Sequence, residues 1–114
     1  LVVNNYRDYD QDRAVGKKTL IVRMGRERAE QLYGWLGNIA TYMMWGCLVL
    51  GDSSFVLMLV CFACFVPYAL LHGATRVQMR RIGRGRELNK VLGMTARNMF
   101  VFGVTTAIVT LFIL

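Results

Sequence analysis

Three stretches of the chain contain no Asp, Glu, Lys or Arg, and they cover residues 31–51, 53–75 and 98–114. Each is about as long as the roughly 17 to 25 apolar residues that a helix needs to cross the hydrocarbon core of a bilayer. A soluble domain does not easily hide three such runs. The pattern therefore predicts an all-α, polytopic transmembrane helix bundle with three spans, over about residues 32–50, 54–73 and 98–114.

The segments before the first predicted span have a more polar pattern. Residues 1–12 are predicted to be the end of a helix, with Gly16 as its stop signal. Residues 17–28 form a basic connection. Residues 26–31, which overlap the end of this connection, are rich in strong helix formers and are expected to lead directly into the first span.

The region around the second span carries two kinds of helix breaker. Pro67 removes one backbone hydrogen bond inside this span and is expected to kink it, which membrane helices tolerate where neighbours repair the loss. Residues 74–97 are predicted to form an interfacial helix that is broken near Gly83 and Gly85. The last span then begins at about Asn98.

Charge adds an orientation to this picture. The 114 residues include 14 Lys and Arg against 7 Asp and Glu, a net charge of +7, and 55% of them are hydrophobic, which excludes an acidic or disordered chain. All the basic residues lie in segments 7–28 and 76–97, which two predicted crossings separate. The positive-inside rule places both segments on the cytoplasmic side of the cell inner membrane. The turn at residues 51–53 and the C-terminus are then expected outside.

The basic segments also limit the class of partner. They flank predicted membrane spans, and no recognised nucleic-acid-binding module accompanies them, so no nucleic-acid partner is expected. Attraction to anionic membrane lipid is the simpler interpretation. The chain opens at Leu1 in an apolar run and closes at Leu114 without a polar tail, from which we expect a fragment of a longer protein.

An acidic cluster near the N-terminus offers candidate chemistry. Asn5, Asp8 and Asp12 lie at spacings of three and four and would share one helix face, with Asp10 roughly opposite. Carboxylates four residues apart repel each other, so a cation or a basic neighbour between them is expected, and hard oxygen ligands suit Mg²⁺. The alternative is a solvated salt-bridge patch with the neighbouring basic residues. The apolar run that precedes Asp8 favours a water-filled cavity or a partner instead.

The surrounding residues carry a family resemblance. Residues 4–25 read Asn-Asn-x-Arg-Asp-x-x-x-Asp-Arg-x-x-Gly-Lys-x-Thr-Leu-x-Val-Arg-x-Gly. This string closely resembles the second aspartate-rich motif of the UbiA-type intramembrane aromatic prenyltransferases, in particular the branch that prenylates 1,4-dihydroxy-2-naphthoate. The basic loop with Leu88-Asn89-Lys90 and Thr95-Ala96-Arg97, followed by a final span, is similar to the C-terminal segment of that branch.

The resemblance implies a particular architecture. The family has nine transmembrane helices around a central cavity, and residues 1–114 would be the C-terminal part of that single domain, with the remaining helices of the parent chain as partners. Two aspartate-rich motifs hold Mg²⁺ on the diphosphate of a polyprenyl donor. The first of these motifs does not occur in the 114 residues, so they are expected to be inactive alone.

The resemblance also implies roles for individual residues. Asp8 and Asp12 carry over as metal ligands, and Lys17 as the catalytic cation that stabilises the leaving diphosphate. Arg7 would bind diphosphate or hold Asp8 in place. The other substrate-binding residues that it implies, for diphosphate or for the aromatic acceptor, are Asn4, Asn5, Lys18 and Arg23. Two aromatic residues, Tyr6 and Tyr9, are interpreted as interfacial anchors or as cation–π partners of a carbocation.

The implied reaction transfers a polyprenyl group to 1,4-dihydroxy-2-naphthoate, with loss of the ring carboxyl group, and gives demethylmenaquinone. Two alternatives stay open. One is a sister enzyme of the family with another aromatic acceptor or a phytyl donor. The other is a small non-enzymatic membrane protein whose acidic cluster is only a salt-bridge patch.

Several other signals are interpreted as structural. Cys61 and Cys64 have the spacing of a redox or zinc pair but lie in an uncharged stretch, which favours buried small residues. His72, the only histidine, is expected to end the second span at the interface. The glycines of the first span predict close helix packing, and they are Gly34, Gly37 and Gly46.

Overall fold

The computed structural model describes residues 1–51 and 54–113, and all regular structure in these two ranges is helical. The helices are α1 (Val2–Arg7), α2 (Tyr9–Ala14), α3 (Leu20–Met24), α4 (Arg26–Gly51), α5 (Phe55–Ile82) and α6 (Leu88–Ile113). The all-α prediction is therefore confirmed for this part of the chain. The predicted turn at residues 51–53 falls largely on residues 52 and 53, which lie outside the described residues.

The three long helices form an elongated bundle of 54 × 22 × 18 Å, in which α5 packs against both α4 and α6. Two of them, α5 and α6, are long and apolar enough to cross a membrane, with mean hydropathies of 2.3 and 1.3 in their most apolar stretches. Only 22% and 11% of these stretches are buried within the bundle. Apolar helices that bury so little of themselves are typical of a membrane protein rather than of a soluble core.

Helix α4 has 26 residues and contains the first predicted span, residues 32–50. Among the described helices it does not reach the hydropathy of α5 and α6. Asn38 and several glycines and tyrosines interrupt its apolar residues. Its role as a third span stays a prediction.

The boundaries between the predicted spans differ from expectation. Residues 74–97 do not form a separate interfacial helix, because α5 continues to Ile82 and α6 already begins at Leu88. The predicted break is confirmed, since the chain turns at Gly83 and Gly85, which have positive φ angles of 69° and 89°. Pro67 lies inside α5 without ending it.

The N-terminal segment folds as short helices rather than as one. Asp8, with φ −87° and ψ 5°, separates α1 from α2. Its N–H still donates to the Asn4 carbonyl at 3.0 Å, and the Asp12 N–H donates to the Asp8 carbonyl at 2.8 Å, so the helical register continues. Gly16 has φ 73° just after α2, which confirms it as a stop signal.

The predicted connection at residues 17–28 contains a helix of its own. The Thr19 hydroxyl accepts a hydrogen bond from the Val22 N–H at 3.1 Å and so caps α3, as threonine commonly does at a helix start. Gly25 then separates α3 from α4 with φ 86°.

One buried cluster joins the short helices to the ends of the long ones. Its members are apolar or aromatic and come from α1, α3, α4, α5 and α6; they are Val3, Tyr6, Ile21, Ala29, Tyr33, Met79, Leu88 and Val91. Burial of each large member contributes roughly 1.5 to 3 kcal/mol. This cluster holds the acidic segment of α1 and α2 against the turn between α5 and α6.

Candidate functional site

Asp8 forms an ion pair with its neighbour in the chain, Arg7. Arg7 donates from Nε to Oδ1 at 2.7 Å and from Nη2 to Oδ2 at 3.0 Å, which is a bidentate pair. These hydrogen bonds hold the pKa of the Asp8 carboxyl below its usual value. Arg7 Nη1 also donates to Asn89 Oδ1 at 2.8 Å, so the pair is tied to the start of α6.

Asp12 is held differently, although it lies one helical turn after Asp8. The residue is only 7% exposed, and Lys17 Nζ reaches its Oδ1 at 3.3 Å. Its other oxygen, Oδ2, is buried and has no hydrogen-bond partner among the described residues. An unpaired buried carboxylate oxygen is energetically costly, so a cation or a donor is expected to meet it.

Asp10 points away from this pair, as predicted. Its Oδ2 accepts from Arg26 Nη2 at 3.0 Å and lies 3.7 Å from Arg84 Nε. These contacts link α2 to the start of α4 and to the turn after α5. They leave Asp10 with a structural role.

Arg26 organises the two tyrosines of the motif. Its guanidinium lies 5.0 Å from the centre of the Tyr6 ring and 4.9 Å from that of Tyr9, which are cation–π distances. Its Nη1 donates to the carbonyl oxygens of Tyr6 and Gly83. Both tyrosine rings are therefore already in contact with a cation of the protein, the Arg26 guanidinium. The sequence did not indicate this partner.

The remaining predicted site residues lie at or near the surface. Asn4, Lys18 and Arg23 are exposed, and Asn5 is half-buried. Within the described ranges they make no side-chain hydrogen bond to the motif aspartates. The residues that the structure brings together are thus Arg7, Asp8, Asp12 and Lys17.

A pocket of about 360 Å³ opens beside Asp8, at the turn between α5 and α6. Its lining is polar and comprises Arg7, Asp8, Gln11, Gly85, Arg86 and Asn89. Arg86 and Asn89 come from the second basic segment, for which the sequence predicts topology and lipid attraction but no part of the site. The volume lies within the usual range for small-ligand sites.

The donor set fits Mg²⁺ only in part. No group of three or more His, Cys, Asp or Glu side chains converges within the described residues, so a cage made by the protein alone is not present there. Mg²⁺ bound to a phosphate needs only one or two carboxylates. Asp12 Oδ2 is available for this role, whereas both oxygens of Asp8 are held by Arg7. An ion held by these residues would therefore take its remaining ligands from a diphosphate or from water.

A second pocket, of about 460 Å³, lies among α1, α4, α5 and α6, and we name it the His72 pocket. His72 is 6% exposed and its ring is stacked between Tyr33, at 4.8 Å, and Tyr68, at 5.7 Å. Helix α5 continues for ten residues beyond His72, to Ile82, so His72 lies inside a helix, and its place at the end of the second span stays a prediction.

An ion-pair cluster around the buried carboxylate of Glu30 joins α4 to α5 near the same end of the bundle, with Arg76 partly and Arg80 largely exposed. Glu30 accepts from Arg76 Nε at 2.7 Å and from Arg80 Nη2 at 2.9 Å. Burial alone would raise the pKa of Glu30, but the hydrogen bonds from Arg80 and Arg76 outweigh it and hold this pKa below its usual value. In the sequence, the only sign of this cluster is a carboxylate next to the first predicted span.

Two of the three glycine predictions are confirmed. A Cβ at Gly34 would lie 2.8 Å from Arg76 Cδ, and one at Gly37 would collide with the His72 ring. A Cβ at Gly46 would meet no atom within 4 Å in the described part of the chain. Cys61 is buried and Cys64 is half-buried, both as free thiols, in agreement with their structural interpretation.

Compared with protein-family models, with curated proteins and with solved structures, the chain matches none of them. Any functional assignment therefore depends on the residues and contacts described above.

Proposed function

We propose that the chain is part of a Mg²⁺-dependent intramembrane prenyltransferase that transfers a polyprenyl group from its diphosphate to 1,4-dihydroxy-2-naphthoate. The observation that carries the proposal is the buried, unpaired Oδ2 of Asp12. It lies one helical turn from Asp8, in a segment whose residues resemble a diphosphate-binding motif. A Mg²⁺ ion shared with the donor diphosphate would satisfy this oxygen.

The basic residues around the two aspartates would bind the leaving group. Lys17 is 62% exposed, so its ammonium is accessible to a phosphate oxygen while it stays near Asp12. Arg7 and Arg86 line the adjoining pocket and add two more donors. When bound, Mg²⁺ supplies charge neutralisation of the departing diphosphate. The donors of this chain then stabilise the same charge through hydrogen bonds.

The apolar helices would protect the reaction from water. Cleavage of the allylic carbon–oxygen bond of the donor leaves a carbocation, which the electron-rich naphthoate ring attacks, and the ring then loses carbon dioxide. Water would quench that cation, so the reaction needs a dry site within the bilayer. In this proposal α4, α5 and α6 are three of nine spans, the motif faces the cytoplasm, and the first aspartate-rich motif belongs to the rest of the parent chain.

One observation favours a second candidate, a non-enzymatic membrane protein. Each motif aspartate has a basic partner, because Arg7 binds Asp8, Arg26 binds Asp10 and Lys17 lies near Asp12. A salt-bridge patch at the membrane surface would have the same pairs. It would not explain why one oxygen of Asp12 is buried without a partner.

A transfer assay separates these candidates. Membranes that contain the complete polypeptide carrying residues 1–114 are incubated with Mg²⁺, labelled polyprenyl diphosphate and a panel of aromatic acceptors. We expect labelled product with 1,4-dihydroxy-2-naphthoate. Product only with another acceptor, or only with a phytyl donor, would indicate the sister enzyme. No product with any acceptor would favour the salt-bridge patch.

A further inference from the structure

We propose that the outer faces of α5 and α6 contact membrane lipid, with Arg81, Lys90 and Arg97 binding the phosphate groups of anionic phospholipids. This inference rests on the two helices that are long and apolar enough to cross a membrane, and not on prenyl transfer. Its test measures which molecules lie against α6, whether or not the protein is active.

Part of the charge of the second basic segment is balanced inside the chain. Glu30 pairs with two of its cations, Arg76 and Arg80. Asp10 Oδ2 lies 3.7 Å from the Nε atom of a third, Arg84. These ion pairs join α5 and the turn after it to other helices, so they have a structural role.

Three further cations of this segment have no carboxylate partner among the described residues, and they are Arg81, Lys90 and Arg97. All three residues are exposed. Arg97 reaches only the neutral amide oxygen of Asn98, at 3.3 and 3.4 Å. Arg86 is exposed as well, but it lines the pocket beside the proposed diphosphate site. The charge of the first three is therefore available to an external anion.

The two cations of α6 lie on one stripe with exposed apolar residues. Lys90, Arg97, Val104 and Leu111 follow each other at intervals of seven residues, and each interval is about 20° short of two full helical turns. The two apolar members are 41% and 80% exposed. We name these four residues the α6 stripe. This order is typical of a helix that faces lipid, because the apolar side chains contact acyl chains and the cations contact headgroups.

Helix α5 has an equivalent outer face. Four exposed apolar residues precede Arg81 on one side of the helix, and they are Leu59, Val66, Leu70 and Val77. With Arg81 they lie within a sector of about 60°. The buried residues of α5 occupy the opposite side, and they are Cys61, Phe65, Tyr68, His72, Thr75 and Met79. The face that ends at Arg81 therefore points away from the bundle.

The depth of these cations selects anionic lipid as the partner. Arg97 directly precedes the charge-free run 98–114, and Lys90 lies about 10 Å farther from that run. Arg81 lies about 9 Å beyond the end of the run 53–75. Long basic side chains at such positions extend into the headgroup region. In the proposed orientation this is the cytoplasmic leaflet, whose surface is negatively charged.

A further helix of the protein is a poorer partner for the α6 stripe. It would have to supply a carboxylate for each of the two cations, or bury them unpaired at a high energetic cost. Lipid phosphates meet the same cations without that cost, because the headgroup region is hydrated and the lipids exchange freely.

Photo-crosslinking identifies what lies against the α6 stripe. Val104 is replaced by benzoylphenylalanine in the complete polypeptide, which is reconstituted into vesicles of phosphatidylcholine and phosphatidylglycerol in equal amounts. Mass spectrometry of the photoproducts measures the ratio of the two lipids. We expect lipid adducts in which phosphatidylglycerol is enriched over the bulk ratio by up to about 5-fold for each cation. Lipid adducts in the bulk ratio, or adducts to another protein segment in place of lipid, would overturn the proposal.

Substitutions in the same crosslinking background test the cations themselves. Arg97→Gln should lower the enrichment of phosphatidylglycerol, whereas Arg97→Lys should keep most of it, because either cation binds a phosphate. The matched control is Arg84→Gln, which removes the same charge from the same segment but from a cation near Asp10. An enrichment unchanged in Arg97→Gln, or lowered equally in Arg84→Gln, contradicts the proposal. If Arg97→Gln does not fold, the lipid ratio measured with Arg97 intact decides.

Discussion

Arg7 binds the carboxylate of Asp8 through Nε and Nη2, along one edge of its guanidinium, at 2.7 and 3.0 Å, while Asp12 one turn later keeps a buried oxygen without a partner among the described residues. The two aspartates of one motif therefore differ in their hydrogen bonding. Asp8 is neutralised within the chain, and Asp12 is available to a cation.

Arg7→Gln should raise the pKa of Asp8 towards its ordinary value, because the hydrogen bonds from Arg7 are the largest cause of its lowering. A carboxyl whose pKa is lowered in the folded state contributes stability above its unfolded pKa and loses it as the pH falls through the folded value. The effect on stability should be small, since the two side chains are 30% and 37% exposed. Carbon-detected NMR titration of labelled aspartate measures it.

The control for this titration is Arg13→Gln, an exposed arginine in the same segment. It should leave the Asp8 titration unchanged. An Asp8 pKa that is the same in wild type and in Arg7→Gln would show that the bidentate pair does not form in solution.

Glu30→Gln should lower the free energy of unfolding by about 1 to 3 kcal/mol, because it leaves Arg76 and Arg80 without the buried carboxylate that pairs them. Urea unfolding in detergent measures the change. The folded-state pKa of Glu30 is lowered, so the difference from wild type should shrink as the pH falls through that value. Glu27→Gln, an exposed carboxylate on the same helix, is the control and should change little; equal effects would refute a special role for Glu30.

Arg26→Lys should loosen the N-terminal helices. Lysine keeps the charge but loses the planar group that contacts both tyrosine rings, Asp10 and the Gly83 carbonyl. We expect a loss of about 1 to 2 kcal/mol in stability and faster tryptic cleavage between residues 13 and 23. Arg28→Lys is the matched exposed control. Identical cleavage rates in the two variants would contradict the role of Arg26.

Single cysteines test the three-span topology in a background without native cysteines. Arg13→Cys and Arg86→Cys should react with an impermeant maleimide from one side of the membrane, and Asp52→Cys from the other. If α4 does not cross the bilayer, the cysteines at 13 and 52 will react from the same side. That result would remove the third span from the proposal.

Much of the fold could be predicted because its signals are local. The charge-free runs predict the long helices directly. Three helix boundaries are marked by glycines with the positive φ that glycine adopts easily, and these are Gly16, Gly83 and Gly85. The exact ends of α5 and α6 could not be predicted this way. Two arginines of α5, Arg76 and Arg80, form ion pairs with Glu30 of α4. These pairs stabilise α5 beyond its apolar residues.

The site was predictable only where partners are close in sequence. Asp8 with Arg7 and Asp12 with Lys17 lie within five residues of each other, and the family resemblance or a local salt-bridge patch was enough to associate them. Arg26 contacts Tyr6, 20 residues away, and His72 contacts the Tyr33 carbonyl, 39 residues away. Such contacts depend on how the helices pack against each other, and no pattern along the sequence reveals this packing.

The most direct test of the central claim compares Asp12→Asn with Asp10→Asn in the complete polypeptide, by the rate of Mg²⁺-dependent transfer from labelled polyprenyl diphosphate to 1,4-dihydroxy-2-naphthoate. Both variants remove one charge from the same helix, but only Asp12 has the free buried oxygen. We expect Asp12→Asn to lower the rate by at least about 100-fold, as loss of one strong transition-state contact does, and Asp10→Asn to keep most of it. A near-normal rate in Asp12→Asn, or an equal loss in both variants, would contradict the claim that Asp12 holds the metal and its diphosphate.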